Sequence, residues 1–594
     1  MRARLRIALL TLAAVLGFAG VPETIRANTA TDSEPTHSLL GSYLAANFAR
    51  NGNDTENASS FYRSALTLDP DSEVLLEQAF QSEASEAHWD RAVPLAKDLI
   101  AKDPSHRMAH LVLGLDRFKA GDYASADKEF EAAKDGLIGE LTSVMARAWT
   151  ALAAGEPDRA LKLLKMPKQA EGAQFYLNYH EALIADVAGK REEANAAFER
   201  SFRQNSRMLR TALAYARHLA HEGKDKPART ILDGLTDRTQ DEPHLLIREL
   251  RSEIDAGKKV PLMVTTPAEG LAEAFYGLGE LLTNEGGVSM GILYLQMALY
   301  IQPDHVFALV GLAGAYETAR RYEDAIAVYD RIPGGTPLQP EIEIRKAFDL
   351  NSLEKVDDAK SILDKLAVAD PKDMKPLDAL GNIMRSRKRY AEAVDYYTRA
   401  IALLPNPSKR HWGLFYSRGT CYERLKDWPP AEADLQKALK LFPDQPMVLN
   451  YLGYSWIDQN HNLKQGMSLI EKAVALKPDD GYIVDSLGWA HYKLGNYTEA
   501  VRFLERAVEL RPEDPVLNDH LGDALWRVGR EREARYQWDQ SLTLEPEPVE
   551  AEKIKKKLAE GLPPSVQSRT ARQAMRNVRL KKRKETKLTP PRVE

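Results

Sequence analysis

Small residues recur in this 594-residue chain at a fixed step of 34, and that step constrains the fold more than any other feature. Ala58, Ala92, Ala126, Ala160, Ala194 and Ala228 keep it without a slip. Gly291, Ala325, Ala359 and Ala393 resume it, and Ala431, Gly466, Ala500 and Ala534 continue it after short insertions near 406–410 and 459–462. Residues 481–512 laid over 515–546 place Leu487-Gly488 on Leu521-Gly522, Leu504 on Trp538 and Pro512 on Pro546. A period of this length implies a two-helix unit that cannot bury its apolar stripe alone and stacks on copies of itself. The small residues then mark the points where paired helices cross. Gly495-Asn496 supplies a turn that tolerates left-handed backbone, and Pro512 stops the second helix.

Leu-Gly in the first helix, a small residue and then a large apolar one in the second, and a closing proline together resemble the tetratricopeptide repeat. The resemblance implies an all-α solenoid of about fourteen helical hairpins, with the repeats near Ala160, Ala228 and Gly291 degenerate. The register breaks at residues 255–270, DAGKKVPLMVTTPAEG, whose Gly, Pro and Thr-Thr punctuation excludes a regular helix pair. The expected organisation is therefore a first solenoid over 37–254, a strap over 255–270 and a second solenoid over 271–548. A capping helix follows over 549–562, then a disordered basic tail over 563–594.

Charge and cysteine content narrow the function. Residues 569–594 hold ten Lys or Arg against two Glu, whereas the whole chain carries −5, so the body is acidic and the tail basic. Arg2, Arg4 and Arg6 precede an apolar run from Ile7 to Phe18 and then small residues, the layout of a secretory signal over 1–27. Cleavage is expected after Ala19 or Ala27. No cysteine lies nearby, so a lipoprotein anchor is excluded and the expected location is the periplasm. An exported chain leaves no place for nucleic acid as partner of the basic tail, and anionic membrane or envelope polymer is its candidate contact. The single cysteine, Cys421, excludes a disulfide framework and reads as a buried, inert thiol.

Motifs for catalysis are missing from the sequence. Gly277-x-Gly279 lies inside a predicted helix and lacks a third glycine, and no phosphate loop, nucleophile elbow or His-Glu-x-x-His occurs. His218 and His221 are three apart without a third ligand at metal spacing, so they read as packing residues. The expectation is a non-enzyme with no cofactor and no metal.

The resemblance does imply a protein-binding groove, because the first helix of each repeat lines the concave wall at repeat positions 2, 5, 9, 12 and 13. Carried onto this chain, those positions give Tyr416, Asn450, Tyr454, Asp485, Trp489, Tyr492, Asp519, Asp523, Trp526 and Arg527. Rigid aromatics beside a few polar groups are typical of interaction hot spots, and the acidic members favour a ligand presenting amides or basic side chains.

The segments LNYLGYSWID (449–458), DSLGWAHYKLG (485–495), HLGDALWRVGREREA (520–534) and GLAEAFYGLG (270–279) are similar to a narrower family of exported proteobacterial tetratricopeptide proteins. One member is an outer-membrane lipoprotein adaptor for a carboxyl-terminal processing protease. The resemblance implies a scaffold that gathers protease and substrate in the periplasm, although this chain departs from that member in lacking the lipid-bearing cysteine. An assembly factor or chaperone for outer-membrane or polysaccharide-export machinery is the alternative, and an enzyme with its site in 255–270 a third.

Overall fold

A computed structural model describes residues 38–52, 54–165, 171–235 and 243–563. The expected signal over 1–27 lies outside them, as does the basic tail beyond residue 563. The described residues form thirty α-helices and no strand. The chain divides into two compact units, residues 1–116 and 117–594, at a boundary inside the helix Arg107–Lys119.

Fourteen helix pairs account for the fourteen marker residues, each on the second helix of its pair. Every marker is buried. The physical reason is visible at the best-matched pair. A Cβ on Gly488 would sit 2.6 Å from Leu504 Cγ, and one on Gly522 would sit 2.5 Å from Trp538 Cδ1. The large residue of the second helix thus fills the space that glycine leaves on the first. Gly291, read as degenerate, is the same device doubled: it faces Gly279, and a Cβ there would lie 3.0 Å from the Gly279 carbonyl oxygen and closer still to Thr283. In the turn, Gly495 alone carries the left-handed backbone, with φ of 81°, whereas Asn496 is ordinary at −83°.

One helix, Leu245–Asp255, has no second helix of its own. No regular element follows it until the next helix, Pro267–Asn284, which starts four residues before the expected restart at Leu271. Thr266 caps that helix by accepting from Glu269 N at 3.2 Å, and Pro267 holds its first position. The strap is pinned: Val260 and Val264 are buried, and His221 Nδ1 donates to the Val260 carbonyl at 2.8 Å. His218 Nδ1 donates to Asp186 at 2.6 Å, so both histidines of the RHLAH run serve packing.

After the strap the chain does not simply stack on the preceding helix. The helix Pro267–Asn284 packs on Gly136–Ala153 and Glu171–Val187. Gly270 makes the approach possible, because a Cβ there would lie 2.2 Å from Trp149 Cη2. Trp149 Nε1 donates to His180 Nδ1 at 3.1 Å, and burial pushes His180 down to about 4, which leaves that nitrogen free to accept. Glu273 is buried in the same junction. It accepts from Tyr179 Oη at 2.9 Å and from Arg210 Nε at 2.8 Å, and its other oxygen lies 3.2 Å from His305 Nε2. Burial opposes its ionisation, but Arg210 and His305 win and hold the carboxyl well below its usual range. Helices on the two sides of the strap, Gly136–Ala153 and Glu171–Val187 before it and Pro267–Asn284 after it, therefore pack directly on one another.

Candidate protein-binding groove

First helices of the last repeats present the sequence-predicted residues, and the structure sorts them into three groups. Asp485, Trp489 and Tyr492 lie on Gly481–Lys493 and form one wall. The Trp489 ring stacks on Tyr492 at 4.6 Å and 8°, and on His520 at 3.9 Å and 15°. His520 Nδ1 donates to Asp485 at 3.0 Å, and Arg527 Nε donates to Tyr492 Oη at 3.2 Å. Burial opposes a charge on His520, but Asp485 outweighs it and, with Asp519 and Asp523, raises its pKa. Trp489 is thus stacked within the protein on two rings, which leaves only part of the indole to an incoming group.

Tyr416, Asn450 and Tyr454 belong to a second group, on the helices Trp412–Arg424 and Pro446–Asp458. Tyr416 packs edge-on against Tyr451 at 5.8 Å, and Asn450 Nδ2 donates to Ser486 Oγ at 3.1 Å. Tyr454 opens onto a cavity of about 430 Å³, lined also by Glu423, Tyr451, Asp458 and Trp428, with Arg424 and Lys426 among its other lining residues. Tyr451 Oη donates to Glu423 at 3.0 Å, and Lys493 reaches Asp458 at 3.0 Å. Burial, with Asp458, Asp485 and Glu423 adding negative charge, pushes the Tyr454 phenol up to about 12. It stays a neutral donor beside two carboxylates. Both carboxylates already have a basic neighbour, since Lys426 also lies 3.5 Å from Glu423, so an incoming basic group has to take the place of a lysine.

The third group is covered by the chain itself. Asp519, Asp523, Trp526 and Arg527 on Pro515–Arg527 face the capping helix, Pro548–Glu560. Lys557 Nζ lies 2.8 Å from Asp519 and 2.7 Å from Asp523. Trp538 Nε1 donates to Asp523 at 2.9 Å, and Arg527 donates to the Pro563 carbonyl at 2.6 Å. A Cβ on Gly561 would lie 2.1 Å from Trp526. These four residues hold the cap in place, and the wall left to a ligand runs from Tyr416 to Tyr492.

Sequence reasoning did not single out His520, Tyr451, Glu423, Asp458 or Lys557. The two acids are 35 apart, the same step that separates Ala431 from Gly466, so the ruler itself carries their signal. Cys421 is fully buried, and burial pushes its thiol up to about 11, so it stays protonated and inert. Among the described residues no cluster of three or more His, Cys, Asp or Glu could hold a metal ion.

Comparison with known proteins agrees with the repeat geometry. Family profiles described as tetratricopeptide repeat match residues 42–72, 78–138, 294–340, 375–407, 414–444 and 484–514. A TPR repeat-containing protein of Pseudomonas aeruginosa is 29% identical over 195 residues, 32% of this chain and 30% of that protein. The E3 ubiquitin-protein ligase CHIP of Arabidopsis thaliana is 30% identical over 122 residues, 20% of this chain and 42% of the ligase. The chain thus spans less than half the length of either relative. Among solved structures, a chain of the APC/C hetero-tetramer Cut9-Hcn1 aligns with 88% of this chain and 96% of its own at 15% identity, with a TM-score of 0.37.

Proposed function

We propose that this tetratricopeptide repeat protein is a non-enzymatic scaffold of the periplasm that holds an extended segment of a partner protein along the wall from Tyr416 to Tyr492. The observation that carries the reading is the cavity beside Tyr454. It combines a neutral phenol, two carboxylates, the basic side chains of Arg424 and Lys426 and aromatic sides in about 430 Å³, room for one long side chain. The anchor is a Lys or Arg that takes over Glu423 or Asp458 from Lys426 or Lys493, with Trp489 as the neighbouring contact. Export is supported by the Arg-rich start and short apolar run before residue 19, and the processing-protease partnership by the resemblance of residues 270–279 and 449–534 to the exported family.

Panning a peptide-display library on the immobilised full chain tests the groove. The expected result is enrichment of Lys or Arg at one fixed position, with affinity of the selected peptides at least tenfold weaker for Tyr454→Ala plus Asp458→Ala. Enrichment without a basic position, or equal binding by the variant, refutes the assignment. Cell fractionation tests the location, and an intact chain recovered from the cytosol overturns it. Stoichiometric co-purification with a carboxyl-terminal processing protease is the expected outcome for the partner, and its absence from the captured fraction removes that part alone.

A further inference from the structure

The first described helix, Leu39–Asn51, is inside out. Its buried residues are Ser42, Ala46 and Ala49, all small, while every large apolar side chain it carries points outward. Phe48 is 83% exposed, Leu40 66% and Leu44 56%, with Leu39 and Tyr43 beside them. Leu40, Leu44 and Phe48 are spaced i, i+4, i+8, so they form a stripe about 12 Å long, slightly inclined to the axis, on one side of the helix. The capping helix Pro548–Glu560 follows the opposite plan. It turns Ile554 inward and covers its outer face with Lys and Glu, as the terminal helix of a stacked array must if water is its neighbour. The helix Leu39–Asn51 is built for a protein neighbour, and among the described residues of its own unit none covers its large apolar side chains.

We propose that the neighbour is a second copy of this chain, paired helix to helix about a twofold axis close to Leu44. Charge and area support this occupant. The helix contains no acid and one base, Arg50, which is turned aside to Gln78 at 2.5 Å and Asn47 at 2.8 Å. Two copies therefore bring their stripes together without opposing like charges, whereas a partner recognised by charge would find no complement here. The outward parts of the five side chains amount to roughly 500–600 Å² per copy, or roughly 1,000–1,200 Å² for the pair, which reaches the lower bound of a specific interface. A stripe of three residues at i, i+4, i+8 is self-complementary when two such helices cross, because each central leucine packs between the outer residues of the other.

Sedimentation velocity on the full chain from about 1 to about 50 μM tests the pairing. A concentration-dependent dimer is expected, and Leu44→Glu plus Phe48→Glu should lower its association constant at least 100-fold with helical circular dichroism unchanged. A wild-type monomer throughout the range overturns the proposal, as does a dimer that survives both substitutions. Leu44→Cys adds a second readout, since the native Cys421 is fully buried. Mild oxidation should yield a covalent dimer on a non-reducing gel, while Val368→Cys, more exposed than Leu44 but elsewhere, should yield none. A monomer whose stripe instead binds phosphatidylglycerol vesicles, or a different protein, overturns self-pairing in favour of that occupant.

Discussion

Replacing Lys557 with alanine should open the last repeat, and the size of the effect follows from what the ammonium leaves behind. Lys557 lies within 2.8 Å of Asp519 and 2.7 Å of Asp523, and the three side chains are 14%, 8% and 18% exposed for Asp519, Asp523 and Lys557. Removing one partner of a buried, hydrogen-bonded set costs about 3–5 kcal/mol, because the remaining charges are stranded. Here two carboxylates are stranded together, and only the Trp538 indole continues to serve Asp523. Water reaching Lys557 places the cost near the lower end, about 3 kcal/mol, or roughly 100-fold in the opening equilibrium. Burial already raises the Asp523 pKa against the pull of Lys557, and without the lysine it rises further. A carboxyl whose folded pKa lies above its unfolded value takes up a proton on folding between the two values, so its cost accumulates as pH rises from the unfolded toward the folded pKa and is complete above it. The variant's deficit should thus be largest near pH 8 and shrink toward pH 4.

Hydrogen exchange read by mass spectrometry on Pro515–Arg527 and Pro548–Glu560 measures this opening directly. The ratio of variant to wild-type rates should be roughly 100 at pH 8 and fall several-fold at pH 4.5, while Lys553→Ala, which breaks only the exposed pair with Glu550, should leave both segments near wild type. Lys557→Ala rates within twofold of wild type at pH 8 would show that the cap is held without the Lys557 ion pairs. A pH-independent ratio would show that the loss is packing rather than stranded charge.

Two further perturbations probe the scaffold. Ala500→Trp places an indole where Ala500 is fully buried beside the Gly488–Leu504 crossing, and should cost about 1–3 kcal/mol by overpacking, seen as a lower midpoint in the melting of the C-terminal repeats; an unchanged midpoint refutes the crossing assignment. Arg210→Leu strands the buried carboxylate of Glu273 and should cost about 3–5 kcal/mol, largely recovered by adding Glu273→Gln; a double variant no better than the single one refutes the pairing.

The register of small residues made the hairpins legible because the constraint is local. A helix pair can close only where one side of the crossing lacks bulk, and Gly522 against Trp538 shows the same requirement as Gly488 against Leu504. Closing prolines and left-handed turn glycines follow from backbone sterics at single residues, so they too can be read without partners. The candidate groove was legible only in part. Asp485, Trp489 and Tyr492 do share one wall, yet the helix that covers Asp519, Asp523, Trp526 and Arg527 adds its charge at Lys557, a residue that nothing in the repeat pattern marks.

Sequence alone determined the fold class, the number of hairpins and the positions of their crossings, since each depends on residues within one 34-residue step. Tertiary structure decided where the array folds back on itself and which part of the wall stays open. Gly270 under Trp149, Tyr294 hydroxyl against Thr142, and Arg210 on Glu273 join residues 63 to 152 positions apart. Contacts at such separations obey no period: they arise because the strap returns an apolar helix to a surface made by earlier repeats, and burial then selects the pairs that satisfy one another.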